Sequence, residues 1–237
     1  MRRRLDAYVR GAAFLCACGL IAGAGSSETK MMRVARTELC VTEGAIEESA
    51  NGGMRVSAPK MRAYVNVVTS QVVEAHFIYL GSTGNEARLG SGELRRQFGL
   101  KLRATDACNL VYAMWRIEPE SKLVVSVKSN PGQHNSAECG NRGYKNIKAR
   151  KSRPVAVLRV GDSHSLRAEM RADELNVFVD HVLVWEGSVG AQGGAFEGPV
   201  GLRSDNARLQ LELLAGEPLA VERGHAPGCR TGPEAAE

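Results

Sequence analysis

The last third of the chain, HSLRAEMRADELNVFVDHVLVWEG followed by GPVGLRSDNARLQLELL, alternates apolar and charged residues through short segments separated by turn residues. A period of two puts successive side chains on opposite faces of an extended strand, so these segments read as half-buried antiparallel strands. Leu166, Ala168 and Met170 point away from Arg167, Glu169 and Arg171. A tight turn at Ala172-Asp173 leads into LNVFV, and Asp180-His181 turns that strand into VLVWEG. Leu209, Leu211 and Leu213 close the core.

The same period runs upstream. QVVEAHFIYLG sets Val73, Ala75, Phe77 and Tyr79 on one face and Glu74, His76 and Ile78 on the other. RRQFGLKLRA sends Phe98, Leu100 and Leu102 inward and Gln97, Lys101 and Arg103 outward. NLVYAMWRIEP and KLVVSVKSNP are further strands, each bounded by a proline that cannot continue a ladder. No stretch makes a long amphipathic helix. About ten strands at regular spacing predict an all-β, two-sheet antiparallel jelly-roll sandwich, because one open sheet of that size leaves an apolar face wet. The predicted sandwich spans residues 37–215, after a polar linker at 25–36 and before a disordered Gly/Pro/Glu/Ala tail at 216–237. The 237 residues with 43% hydrophobic content suffice for one such domain.

The start reads as an export signal over residues 1–24. Arg2, Arg3, Arg4 and Arg10 precede the apolar run GAAFLCACGLIAGAG, and Ala22-Gly23-Ala24 supplies the small-x-small cleavage pattern. Leu15-Cys16-Ala17-Cys18 resembles a lipobox that would make Cys18 a lipidated N-terminus. The expected location is secreted or periplasmic, with membrane attachment only through the leader or such a lipid. Residues 1–24 carry four Arg and one Asp, so the remainder has 27 basic against 25 acidic side chains. That net charge of +2 is weak support for binding a polyanion, and no nucleic acid is expected as a partner. Cysteines agree with export. Cys108 and Cys139 flank strand-like segments and are expected to pair; Cys40 with Cys229 is a second option, and without a C-x-x-C pair no metal site is expected.

Residues 155–214 resemble the closing strands of concanavalin A-like lectin/glucanase sandwiches, closest to the laminin-G-like and 3-keto-disaccharide hydrolase-like branch (DUF1080-type). The resemblance implies an extracellular sandwich whose sheet meets carbohydrate, and either a binding module, a sugar-processing hydrolase or a structural envelope protein. Some relatives carry a structural calcium, to which Asp205-Asn206 could contribute; a polar turn explains that pair equally well. No other cofactor is expected. Glucanases of this fold use an E-x-D-x-x-E set on one strand, which this chain lacks. EMRADE puts Glu169 on a strand but Asp173 and Glu174 in a turn.

No nucleophile elbow, zinc signature or phosphate loop is present. The candidate ligand surface is the outward-facing set Glu74, His76, Lys101, Arg103, Tyr112, Arg116 and Lys128, with Met114 and Ser126 among them. If those strands are neighbours, they form one polar face with an aromatic on it, a mixture suited to a pyranose with one apolar side and many hydroxyls. The alternative is an ordinary solvated outer face. Trp115 and Trp185 are read as core anchors. The basic run Lys145, Lys148, Arg150, Lys151 and Arg153 is read as a solvated connection, with an anionic-ligand patch as its alternative.

Overall fold

A computed structural model describes residues 29–49, 52–66 and 70–217. The expected leader, its lipobox, and Cys229 lie outside these residues. Two antiparallel sheets pack face to face. The strands are β1 (Met31–Val34), β2 (Leu39–Glu43), β3 (Glu47–Glu48), β4 (Met54–Val56), β5 (Lys60–Val65), β6 (Val72–Ser82), β7 (Arg96–Leu102), β8 (Leu110–Glu118) and β9 (Lys122–Lys128). They continue as β10 (Tyr144–Asn146), β11 (Lys151–Ser152), β12 (Ser163–Arg171), β13 (Glu174–Val179), β14 (Val182–Ser188), β15 (Gly201–Asp205) and β16 (Ala207–Gly216). Two short helices, α1 (Ser136–Cys139) and α2 (Gly190–Gly194), sit in connections.

The nine-stranded sheet runs β11-β14-β13-β12-β6-β16-β4-β3, with β1 also on β16; the seven-stranded sheet runs β10-β9-β8-β7-β15-β5-β2. Met31–Val34, expected in a linker, instead pair with Leu213–Gly216. The polar stretch 133–153, whose basic run reads as a solvated connection, contributes edge strands to both sheets. Tyr144–Asn146 pair with Ser126–Lys128, and Lys151–Ser152 with Trp185–Glu186. The ladder needs only backbone groups, so polar segments join an edge freely. The basic residues there are solvent-facing: Arg150 bridges Glu174 and Glu186, and Lys151 also reaches Glu186.

Alternation decides the core. The inward rows of β6, β7, β8, β12 and β16 meet between the sheets, where Phe77, Phe98, Trp115, Leu166, Met170 and Leu209 are essentially solvent-free. Phe77 contacts Phe98 at 5.0 Å between ring centroids and meets Trp115 edge-on at 5.9 Å. Trp115 and Trp185 are both buried, as anchors should be. Burying each such side chain contributes about 1.5–3 kcal/mol.

Two turns do more than reverse the chain. Asp180 and His181 both have positive φ, 49° and 64°, the backbone of a type I′ hairpin without glycine. The Asp180 carboxylate stabilises it by accepting from Ser165 N–H at 2.8 Å and meeting His164 Nδ1 at 2.6 Å. At the β15–β16 turn Asn206 has φ 58°. Its amide bonds the backbone of Ala87 in both directions and donates to Arg95 O, at 2.8–2.9 Å. This one side chain fixes the 83–95 connection against the sandwich, and that connection walls the site described next.

A candidate ligand recess on the seven-stranded sheet

Register brings the outward side chains of the seven-stranded sheet into rows. Lys101 lies opposite Tyr112 and Gly201, and Tyr112 opposite Ser126. One row further, Met114 is flanked by Val124 and Gly99, and Gly99 by Arg203. The next row joins Lys122, Arg116, Gln97 and Asp205. Between the 83–95 connection and β10 these rows floor a recess of about 160 Å³. Its base is Met114, Val124 and Tyr112, and its walls include Leu89, Glu93, Arg95, Arg116, Asn141, Tyr144, Asn146 and Arg203. Gly99 keeps the floor low: a Cβ there would fall 2.7 Å from Met114 Sδ and 2.3 Å from Ala113 O.

The charges are organised around Asp205, whose side chain is fully buried. Its Oδ1 accepts from Arg62 Nη2 at 2.6 Å, and its Oδ2 from Gln97 Nε2 at 2.7 Å and Arg203 Nε at 2.9 Å. Burial raises the carboxyl pKa, but the Arg203 and Arg62 charges with these hydrogen bonds dominate and hold it far below the usual range. Both oxygens that a structural calcium would need thus already serve two guanidinium groups. The Asn206 amide is spent on the wall. Among the described residues no three His, Cys, Asp or Glu side chains gather as a metal-ligand set.

Arg203 also orients the aromatics. Its guanidinium lies 5.1 Å from the Tyr112 ring and donates to Tyr144 Oη at 3.0 Å. The Tyr112 and Tyr144 rings stack at 6.0 Å and 23°, with Lys128 Nζ 5.3 Å from the Tyr144 ring. Tyr144 remains 38% exposed, so one face of the stack meets solvent. Aromatic and methionine surface surrounded by guanidinium, amide and carboxylate groups suits a small ring with an apolar face and polar edges.

The residues expected to share one face divide. Tyr112 and Arg116 line the recess, with Met114 and Ser126. Lys101 and Lys128 belong to the same sheet face but are buried, at 6% and 3% exposure, and are not solvated as an outer face suggests. Lys128 Nζ donates to Ala107 O at 3.0 Å and approaches Cys139 Sγ at 3.1 Å, beside the Cys108–Cys139 disulfide. Burial, then the Arg62 and Arg203 charges, bring Lys101 down to about 7. Arg103 lies past the end of β7, has φ 47°, and donates to Gly194 O of α2, away from the recess.

Glu74 and His76 are on the outer face of the other sheet, because the chain crosses between sheets after β6. There His76 Nε2 meets Glu74 Oε1 at 2.7 Å, and Arg167 Nη1 donates to Glu74 Oε2 at 3.1 Å. Burial raises the Glu74 carboxyl, yet the His76 and Arg167 hydrogen bonds and charges outweigh it and leave it below its ordinary value. A carboxyl kept ionised does not suit the protonated-acid half of a glycosidase carboxyl pair.

Arg203, Arg95 and Tyr144 were not anticipated at the site. Parity alone places Arg203 and Asp205 opposite the inward Leu202 and Ser204; what parity lacks is the information that β15 inserts beside β7. Tyr144 sits in a stretch without any strand pattern.

No protein-family model and no curated protein matches the chain. Among solved structures it is similar to the carbohydrate-binding module CBM66 from Bacillus subtilis, with a TM-score of 0.51 and 15% identity over 73% of this chain and 91% of that one. Looser overlaps include the Crh5 transglycosylase (TM-score 0.47, 11% identity, 82% of this chain and 86% of that) and LamAcat from Zobellia galactanivorans (0.44, 11%, 71% and 78%). At such identities the likeness is one of fold. The chain has a two-sheet antiparallel jelly-roll sandwich, a fold it shares with that carbohydrate-binding module.

Proposed function

We propose that this chain is an exported glycan-binding module whose ligand ring sits in the recess over Met114, Tyr112 and Tyr144. The observation that carries the reading is the Tyr112–Tyr144 stack, buried at Tyr112 and open at Tyr144, oriented by Arg203 and edged by arginine and amide side chains. A volume near 160 Å³ is below the range of about 300–1,000 Å³ typical of pockets for drug-sized ligands. It suits a single ring, with the rest of a glycan lying across the sheet. The likeness in fold to a carbohydrate-binding module supports the same assignment, as fold-level analogy. The Cys108–Cys139 disulfide is compatible with secretion. The finer assignments of location, leader cleavage or lipidation at Cys18, rest on the N-terminal sequence.

The test is glycan-array binding by the full chain and by Tyr144→Ala. Tyr144 lies on an edge strand and is partly exposed, so its truncation leaves the core intact. Saturable binding to defined glycans, weakened at least fivefold by Tyr144→Ala, is expected. Flat responses across neutral and charged glycans from folded protein overturn the proposal.

A further inference from the structure

The recess holds more positive charge than its own carboxylates answer. Arg203 is paired with Asp205, and Arg95 with Glu93. Arg116 is different. It lines the recess from β8, its Nε is buried without a hydrogen-bond partner, and its guanidinium forms no hydrogen bond or ion pair among the described residues. Glu93 and Glu120 act on it only through space, against the like charge of Arg95. A guanidinium is a planar fork of five donors matched to two oxygens of one anionic group. Leaving a buried donor of a charged group unmade is costly, on the order of 1–3 kcal/mol or more. The Nε is closed off from the recess, so a bound oxyanion would meet the terminal Nη groups of the same guanidinium, which also have no partner among the described residues.

Resting on the glycan reading, we infer that the ring bound in the recess carries an anionic substituent, a uronic acid carboxylate or a sulfate ester, received by Arg116. Met114 and the tyrosines then take the apolar side of the ring, and Arg116 meets its charged edge. Lys101, a second cation of this face without a hydrogen bond or ion pair among the described residues, lies opposite Tyr112, four residues from Arg116 along β8. That places the two backbones about 13 Å apart along the strand. Lys101 is buried beneath the sheet face and does not line the recess, so Arg116 is the cation that meets the ligand there.

Matched probes test this by calorimetry: polygalacturonate against its fully methyl-esterified form, and a sulfated galactan against the same galactan desulfated. Inorganic polyphosphate reports charge alone. Expected are at least tenfold tighter binding of one charged glycan than of its neutral match, a tenfold loss in Arg116→Gln, partial retention in Arg116→Lys, and weaker polyphosphate binding. The carboxylate and sulfate arms identify which anion is read. Circular dichroism confirms that each variant is folded. Equal binding of charged and neutral forms, unaffected by Arg116→Gln, overturns the inference and leaves the glycan reading intact. Polyphosphate binding as tight as the charged glycan overturns it as well. No binding in any arm overturns the inference, while the glycan reading stands or falls with the glycan array.

Discussion

Replacing Lys101 by methionine isolates what a buried ammonium costs this fold. Methionine keeps the length of the stem and removes the charge. Lys101 is 6% exposed and lies among Arg62 of β5, Arg203 of β15 and Lys128 of β9, with Glu43 of β2 acting in the opposite sense. Tyr112 of β8 faces it across the ladder. Its folded pKa is about 7, whereas a solvated lysine titrates near ~10.4. Between those values the unfolded chain binds more protons than the native one, so unfolding free energy rises with pH. Below pH 7 the native protein carries the full penalty, on the order of 4–5 kcal/mol at about 1.4 kcal/mol per pKa unit. Lys101→Met is therefore expected to be the more stable protein at pH 6, by several kcal/mol, with the advantage fading towards pH 10. Urea denaturation followed by circular dichroism at pH 6, 8 and 10 reads the difference directly. A variant less stable than the parent at pH 6, or an advantage that does not change with pH, refutes the reasoning.

Asp205→Asn leaves Arg203 buried without its counter-charge and Arg62 with only Glu43, 3.6 Å away. A loss of about 3–5 kcal/mol is expected. Because the Asp205 carboxyl is held down in the folded state, its contribution is complete above an ordinary carboxyl pKa of about 3.9. It is lost as pH falls towards the folded value, so parent and variant converge in acid; parallel urea midpoints at pH 7 and pH 2.5 contradict this. Gly99→Ala drives a methyl to 2.3 Å from Ala113 O on the neighbouring strand, for an expected cost of about 1–3 kcal/mol. An unchanged thermal midpoint speaks against that close approach.

Local alternation was sufficient for the strands of the second half and for the inward rows Phe98/Leu100/Leu102 and Leu209/Leu211/Leu213, because period-two burial is written residue by residue. It was equally sufficient for outward parity at Tyr112 and Arg116. Edge strands were illegible. Tyr144–Asn146 and Lys151–Ser152 pair through backbone alone, and their exposed side chains carry no apolar signal. Met31–Val34 failed for the same reason, since only Val34 is buried.

By itself, then, the chain determined an all-β sandwich, its core rows and which side chains face outward, since each depends on a residue and its near neighbours. Which sheet a strand joins depends on the whole assembly. The crossing after β6 took Glu74 and His76 to the far side of the molecule, and the insertion of β15 beside β7 carried Arg203 and Asp205 to a site about a hundred residues away in sequence. Only the packed structure decided that, because strand neighbours are chosen by how two apolar faces close on each other, and that choice leaves no periodicity for a reader of the sequence to find.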